Sequence, residues 1–238
     1  MNETINLMMQ HSSVRNFTDE KIPEEVLKTI IDAGRAAPNW KNFQSYSIIV
    51  VQSQEQKDAI FAHQPQKAIK NCAAFLVFVG DLNRAQTAVQ MNGGAFQPEG
   101  VESLLITSVD AAVAGQNALL AAQSLGYGGV MVGLIRDQSA ELSKILELPD
   151  YTYPIFAIAL GKAARVNPVK PRLPHDAVVF PEKYIHQDEE VIRQYDKLQD
   201  DYAGARRLNS TWSSRMADQW GKPEISSSTE NLKEKKLL

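Results

Sequence analysis

The sequence of 238 residues contains one cysteine, Cys72, which excludes an intrachain disulfide and any multi-cysteine zinc or iron–sulfur site. Its four histidines are His11, His63, His175 and His186, and their wide separation does not favour a metal centre. No uninterrupted apolar run reaches the roughly 18 residues that a transmembrane helix needs. We therefore expect no metal site and no membrane partner.

An excess of basic residues is also absent, because 25 Lys and Arg stand against 28 Asp and Glu, giving a net charge of −3. A nucleic-acid partner would favour a basic face, so none is expected. The first residues, MNETINLMMQ, carry an acid and no basic segment, which is not typical of a signal peptide. The sequence predicts a cytoplasmic protein, and its 44% hydrophobic residues suffice for a large core.

Common phosphate-binding and nucleophile motifs are missing as well. The sequence has no G-x-x-x-x-G-K-[ST], no G-x-G-x-x-G and no G-x-S-x-G. The glycines within 126–129 come between a predicted helix and a predicted strand, the reverse of a dinucleotide fingerprint, and favour a helix end. Cys72 has no motif around it and precedes a buried strand, so we expect a packed thiol rather than a nucleophile.

Helices alternate with short apolar strands, and this pattern predicts an α/β or α+β sandwich with both faces of the sheet covered. The hydrophobic periodicity predicts helices over 3–11, 24–36, 54–63, 101–124, 138–147, 188–203 and 211–220, and strands ending at Gln52, Gly80, Ile135 and Gly161. From Gly221 onward the chain is polar, and we expect it to fray.

The predicted helix over 101–124 is rich in Ala and Leu and has little polar surface. We expect it to be buried on most sides. It would be either the central helix of one subunit or a helix that packs against its own copy in a dimer.

Two short segments combine cations with polar or rigid neighbours. His11-Ser12-Ser13-Val14-Arg15 offers hydroxyls and a guanidinium, which suit a phosphate. In Lys170-Pro171-Arg172-Leu173-Pro174 the prolines stiffen an extended segment, so both cations can reach one anion. An ordinary polar turn and an ordinary proline-rich connection explain the same residues, and the pattern leaves both interpretations open.

Several separated segments occur in a characteristic order. They are HSSVRNFTDEKIP, AAPNWKNFQSYSIIVV, HQPQKAIKNCAAFLVFVGDLNR, AAVAGQNALLAAQSLGYGGVMVGLIR and LGKAARVNPVKPRLP. With them the sequence resembles the NADPH-dependent, FMN-containing nitroreductase and flavin reductase family, in particular the major oxygen-insensitive nitroreductases. The resemblance covers residues 1–220, and it implies one FMN-binding domain there, followed by a polar tail over 221–238.

The resemblance implies an α+β fold, a three-layer sandwich whose central, mainly antiparallel sheet is flanked by helices. It also implies an intertwined homodimer with two FMN sites at the subunit interface. The FMN phosphate and ribityl chain would be held by His11, Ser12, Ser13 and Arg15, with Lys170 and Arg172 closing over the phosphate. The flavin ring would be contacted by Gln66 with Lys67 beside it, by Asn39 and Lys41 from another side, and by Met131, Val132, Gly133 and Leu134 along its edge.

The implied activity is an NADPH-dependent oxidoreductase in which hydride passes from the nicotinamide to flavin N5. In a ping-pong cycle it then reaches a nitroaromatic, quinone, azo compound or free flavin. No protein residue is assigned as a general acid or base, because the flavin carries the chemistry. The alternatives are a specialised flavin enzyme with a dedicated acceptor, a flavin-binding protein without turnover, and a phosphate-ester-binding enzyme without flavin.

Two positions depart from the family pattern. PNWKN stands where the family often has a serine-rich loop, so the wall of the implied site is bulkier. Ala203 stands where the family has a basic residue for the 2′-phosphate of NADPH, and the nearest cations are Arg206 and Arg207. The resemblance implies that these two arginines contact NADPH, with NADH as the alternative donor, and a solvated surface pair explains the same residues.

Overall fold

The computed structural model describes residues 2–206, 209–223 and 227–238. The strands are β1 (Tyr46–Val51), β2 (Ala74–Asp81), β3 (Gly128–Val132) and β4 (Thr152–Gly161). The helices are α1 (Glu3–Met9), α2 (Glu24–Arg35), α3 (Gln54–His63), α4 (Lys67–Asn71), α5 (Asn83–Met91), α6 (Val101–Ser124), α7 (Ser139–Ile145), α8 (Glu189–Ala203), α9 (Trp212–Trp220) and α10 (Ser228–Glu234). The hydrophobic pattern does not predict α4, α5 or α10, and β3 ends three residues before Ile135.

The four strands form one antiparallel sheet in the order β1-β2-β4-β3. With helices around it, this sheet confirms the α+β class. The central strands β2 and β4 are almost entirely buried. They are therefore continuous apolar runs rather than alternating ones, since helices cover both of their faces.

One face of the sheet is covered by α2 and α6. Phe78 of β2 and Phe156 of β4 stack there with ring centroids 4.8 Å apart. The two helices approach closely at Gly34, where a Cβ atom would lie 3.1 Å from both the carbonyl oxygen of Ala114 and the Cβ of Ala118. The small residues of the predicted helix thus serve this helix–helix contact.

The outer face of α6 is open. Val101, Leu105 and Val109 are 65%, 55% and 57% exposed, so within one chain this face of the helix is not buried. By length and composition alone α6 could cross a membrane, but its inner face packs into the core beside the sheet and α2.

The other face of the sheet is covered by α3, α4 and α7. A second core cluster joins Phe75 and Val77 of β2 to Val130 and Val132 of β3 and to the apolar residues of these helices. Lys57 of α3 is buried and donates a hydrogen bond of 2.7 Å to the Cys72 carbonyl, which ties α3 to the end of α4.

The chain divides into two compact units, Met1–Asn167 with Ser226–Leu238 and Pro168–Ile225. The C-terminal segment differs from the expected fraying. Residues 228–234 form α10, and Leu237 is fully buried in the core of the first unit. Asn231 accepts hydrogen bonds from Ser139 at 2.8 Å and Ser143 at 3.3 Å, so a polar-looking segment returns to the sheet domain.

The second unit consists mainly of α8 and α9. Asp196 of α8 accepts the backbone N–H of Ser213 at 2.9 Å and its hydroxyl at 2.5 Å, and thereby joins the first turn of α9 to α8. Tyr195 packs edge-on against Trp212 at 5.3 Å.

Candidate active site

The segment over 11–15 lies along the open edge of β3. The Val14 N–H donates to the Gly129 carbonyl at 3.0 Å, outside the last strand of the sheet. The Val14 side chain covers Gly128, where a Cβ atom would come within 2.6 Å of it. Gly128 therefore allows this close approach, a role that the sequence analysis missed when it assigned these glycines only to a helix end.

Two further contacts fasten the same segment. The Nδ1 atom of His11 lies 3.1 Å from Nε2 of Gln123, and the Ser13 carbonyl accepts from the Asn167 amide at 3.1 Å. These contacts use the His11 ring and the Ser13 backbone. In the described residues no hydrogen bond or ion pair engages the Ser12 hydroxyl, the Ser13 hydroxyl or the Arg15 guanidinium.

This donor set fits the phosphate of FMN. Two half-buried hydroxyls and one unpaired guanidinium come from a segment that three contacts hold in place. Hydroxyls and a planar guanidinium are the neutral and charged donors that phosphates bind. The geometry therefore favours the anion-binding interpretation of this segment over the polar turn.

The edge of β3 offers backbone groups beyond the point where Val14 binds. The carbonyl of Gly129 points away from β4, and backbone groups alternate in direction along a strand. The N–H and C=O of Met131 therefore face the same open side. Met131 is 41% exposed, whereas Val132 is buried in the second core cluster. The Val132 side chain thus points into the core and its backbone faces β4, so of these two residues only Met131 offers backbone groups to a ligand.

The turn that contains Gln66 and Lys67 lies beside the end of β3. The Gln64 amide donates to the Leu134 carbonyl at 2.7 Å, and Gln66 is the residue that precedes α4. Leu134 is exposed and Gly133 is half-buried. The structure therefore places three of the predicted groups along β3 and its C-terminal end: residues 11–15, residues 64–67 and residues 131–134.

Asn39 and Lys41 lie elsewhere, in the loop over 39–45 that leads into β1 at the opposite edge of the sheet. Asp110, a buried residue of α6, holds both ends of this loop. Its carboxylate accepts the Trp40 N–H at 2.9 Å and the Ser45 N–H at 3.3 Å. Asp110 was not predicted as a functional residue, although an acid within an apolar helix indicates a buried partner.

The loop itself is tightly constrained. Lys41, Asn42 and Gln44 have φ values of 48°, 58° and 53°, a region that residues other than glycine seldom adopt. Within the loop, Oδ1 of Asn39 accepts the Gln44 N–H at 3.0 Å. The rings of Trp40 and Phe43 meet edge-on at 5.3 Å, and both side chains are exposed. Trp40 of PNWKN and the adjacent Phe43 thus give this loop an exposed aromatic surface.

Lys170 and Arg172 belong to the second unit. Between them, the Pro171 carbonyl accepts hydrogen bonds from the Tyr195 hydroxyl at 3.0 Å and the Gln199 amide at 3.3 Å. Both cations are exposed, and no ion pair engages them in the residues that the structure describes. The prolines predicted an extended segment, but its anchoring on α8 was not predicted.

The arginines expected to contact NADPH cannot be placed in the same way. Arg206 ends a short 3-10 helix over Gly204–Arg206. Arg207 and the side chain of Arg206 lie outside the described residues. Cys72 agrees with its expected role, because burial raises the pKa of its thiol to about 11 and it is therefore protonated at neutral pH.

The chain is similar to known proteins over most of its length. The sequence matches the profile of the Nitroreductase family over residues 8–162 and that of the Nitroreductase family, C-terminal domain over residues 170–238. It is 38% identical over 226 residues to the FMN reductase (NAD(P)H) of Bacillus subtilis, covering 91% of this chain and 90% of that protein. It is 35% identical over 221 residues to the oxygen-insensitive NADPH nitroreductase of Salmonella typhimurium, with 91% and 90% covered.

A solved structure leads to the same assignment. The fold matches the NADPH:FMN oxidoreductase from Vibrio harveyi complexed with NAD+ with a TM-score of 0.91, at 32% identity and with 99% of each chain covered. The chain belongs to the nitroreductase family.

Proposed function

We propose that the protein is an FMN-dependent NAD(P)H oxidoreductase that reduces small-molecule acceptors in the cytoplasm. The observation that carries this proposal is the anchored segment over 11–15, with the free donors of Ser12, Ser13 and Arg15 at the open edge of β3. The names of the relatives, FMN reductase (NAD(P)H) and oxygen-insensitive NADPH nitroreductase, support it. The proposed acceptors are nitroaromatics, quinones, azo compounds and free flavin.

In this proposal the residues of 11–15 bind the phosphate. Arg15 offers a planar fork of donors, and Ser12 and Ser13 add hydroxyl donors. The family resemblance assigns Lys170 and Arg172 to the same phosphate. The cation set would compensate the two negative charges of a phosphate monoester.

The neighbouring groups would orient the flavin ring. When bound, FMN supplies the two-electron hydride chemistry between nicotinamide and acceptor. The outward N–H and C=O of Met131 would hydrogen-bond the polar edge of the ring. Gln66 and Lys67 would approach it from the turn beside Leu134. No side chain is needed as a general acid or base, so the contribution of the protein is binding and orientation.

We also propose a homodimer, in which Asn39 and Lys41 reach the flavin of the other copy. These residues precede β1 at one edge of the sheet, whereas the phosphate donors flank β3 at the other edge. Three strand spacings of about 4.8 Å place the two edges roughly 14 Å apart. A second copy would also cover the exposed apolar face of α6, formed by Val101, Leu105 and Val109.

For the nicotinamide cofactor we keep NADPH as the proposed donor and NADH as the alternative. Arg206 and Arg207 are the proposed partners of the 2′-phosphate, because they are the cations nearest to the family position that Ala203 occupies. Replacing both with Ala would then raise KM for NADPH far more than KM for NADH.

The phosphate assignment is tested by titrating the apoprotein with FMN and with riboflavin, which lacks the phosphate. We expect Arg15→Ala to weaken FMN binding by about ten- to a hundredfold, because a charge-assisted hydrogen bond contributes roughly 1.5–3 kcal/mol. Riboflavin binding should stay unchanged. Arg193→Ala, on the exposed surface of α8, is the control and should bind FMN normally. Equal FMN affinity of Arg15→Ala and wild type would refute the assignment.

A further inference from the structure

A second pocket, of about 370 Å³, lies between the end of α2, the loop over 39–45 and β1. None of its lining residues is among those assigned to FMN. Its apolar wall includes Ile31, Phe43 and Ile48, and its polar side includes Arg35 and Tyr46. The pocket thus combines apolar side chains with several polar ones in a volume of the size that small ligands occupy.

Tyr46 gives the first indication of a ligand. The residue is only 8% exposed, and in the described residues its hydroxyl makes no hydrogen bond. Burial raises the pKa of Tyr46 above its ordinary value, so the hydroxyl remains a donor at neutral pH. Every fully buried side-chain nitrogen or oxygen in the described residues has a hydrogen-bond partner, so this hydroxyl is not enclosed by protein and is a donor open to the pocket.

The two arginines of the pocket differ in how many of their N–H donors remain free for a ligand. Arg84 is fully engaged, because it donates to the Gln44 and Tyr46 carbonyls at 2.8 and 2.6 Å and pairs with Asp81 at 3.2 Å. Arg35 pairs with Asp32 through Nη1 alone, at 2.8 Å. Its other N–H donors are free within the described part of the chain, and its charge acts on the Tyr46 hydroxyl.

We propose that this pocket binds a small aromatic carboxylate. The carboxylate would accept hydrogen bonds from the free guanidinium donors of Arg35 and from the Tyr46 hydroxyl. The ring would lie against Ile31, Phe43 and Ile48. Asp32 pairs with both Lys28 and Arg35, and Asp81 pairs with Arg84, so these groups together carry one excess positive charge. The single negative charge of a carboxylate ligand would balance it. The pocket has too few free donors for a polyanion.

The ligand would contact the loop that carries Asn39 and Lys41, because Phe43 and Gln44 line the pocket and belong to that loop. The inference goes beyond the proposed oxidoreductase function and needs neither flavin nor nicotinamide chemistry. Its test can therefore fail while the proposed function stands, and the reverse also holds.

The test is a fluorine NMR titration of the protein as purified with 4-fluorobenzoate, which is not a reducible acceptor. We expect saturable binding with a Kd of about 1 mM or tighter. Arg35→Gln should weaken it roughly tenfold or more, and Tyr46→Phe roughly three- to tenfold, since the first removes a charged donor and the second a neutral one. The neutral analogue 4-fluorobenzamide should bind much more weakly.

Lys28→Gln is the matched control. Lys28 binds the same Asp32 carboxylate as Arg35, also at 2.8 Å, but does not line the pocket. It should bind 4-fluorobenzoate like the wild type, and excess FMN should not displace the probe. Absence of saturable binding, equal affinity for the amide, equal losses in Arg35→Gln and Lys28→Gln, or displacement by FMN would each overturn the proposal.

Discussion

At the scale of single residues, Asp110 links the core to the candidate active site. It is buried in the middle of α6, and its carboxylate accepts one backbone N–H from each end of the loop over 39–45. The two hydrogen bonds compensate the burial of its charge and at the same time hold Trp40 and Ser45 in place. The strained loop thus depends on a residue about 70 positions away in the chain.

We expect Asp110→Ala to lower the free energy of unfolding by about 2–4 kcal/mol, because two N–H groups lose a charged acceptor. Asp110→Asn keeps one acceptor oxygen and should lose less. Urea denaturation measures both. The control is Asp218→Ala, which removes an exposed ion pair with Lys222 and should change stability by less than about 1 kcal/mol. Similar losses in Asp110→Ala and Asp218→Ala would contradict the role of Asp110.

Cys72 makes the stability depend on pH. Burial raises the pKa of its thiol from 9.0 to about 11, so the folded protein holds this proton more strongly than the unfolded chain. The resulting stabilisation is complete below pH 9 and is lost as the pH rises through 11. Two pKa units correspond to a loss of roughly 3 kcal/mol.

The measurement is the free energy of unfolding at a series of pH values from 8 to 11 for wild type and Cys72→Ala. Tyrosine titration affects both proteins alike, so the steeper fall of the wild type isolates the thiol. Parallel curves for the two proteins would show that the thiol does not contribute.

At the scale of elements, the long and strongly patterned segments were predictable. The bounds of α3 and α6 match the periodicity, and the strands β1, β2 and β4 follow from their continuous apolar residues. The short helices α4 and α5 were not predictable, because five and nine residues carry too little periodicity. In the site, the local segment over 11–15 could be identified, whereas its anchoring by Gly129 and Asn167 depends on distant contacts.

The C-terminal element shows how composition can mislead. The polar sequence around α10 predicted fraying, but Leu237 fills the core and Asn231 binds two buried serines. Backbone hydrogen bonds from Gly100 to the Leu237 carbonyl and from Tyr151 to the Lys235 carbonyl add to these contacts, and none of them is visible in a polar sequence.

We expect Leu237→Ala to lower the free energy of unfolding by about 2–5 kcal/mol, the range for removing a buried leucine side chain. The adjacent Leu238 is 44% exposed and provides the matched control. Leu238→Ala should change stability by less than about 0.5 kcal/mol. Thermal or urea unfolding compares the two, and equal effects would mean that the segment does not pack as described.

At the scale of the whole molecule, the proposed dimer divides each FMN site between two copies. A mixed dimer tests this division. Arg15→Ala and Lys41→Glu homodimers should both bind FMN weakly. In a heterodimer of the two variants, one site carries both defects and the other carries neither, so half of the sites should regain wild-type affinity. If each site lies within one copy, every site keeps one defect and no affinity returns.

The central claim is that the protein takes electrons from a nicotinamide cofactor onto bound FMN and passes them to an acceptor. Anaerobic titration of the purified protein with NADPH, and in parallel with NADH, tests it most directly. We expect the absorption band of oxidised flavin to disappear with about one equivalent of NADPH per FMN and to return when a quinone or nitroaromatic is added. A protein without a flavin band, or a flavin band that neither nucleotide bleaches, would contradict the account.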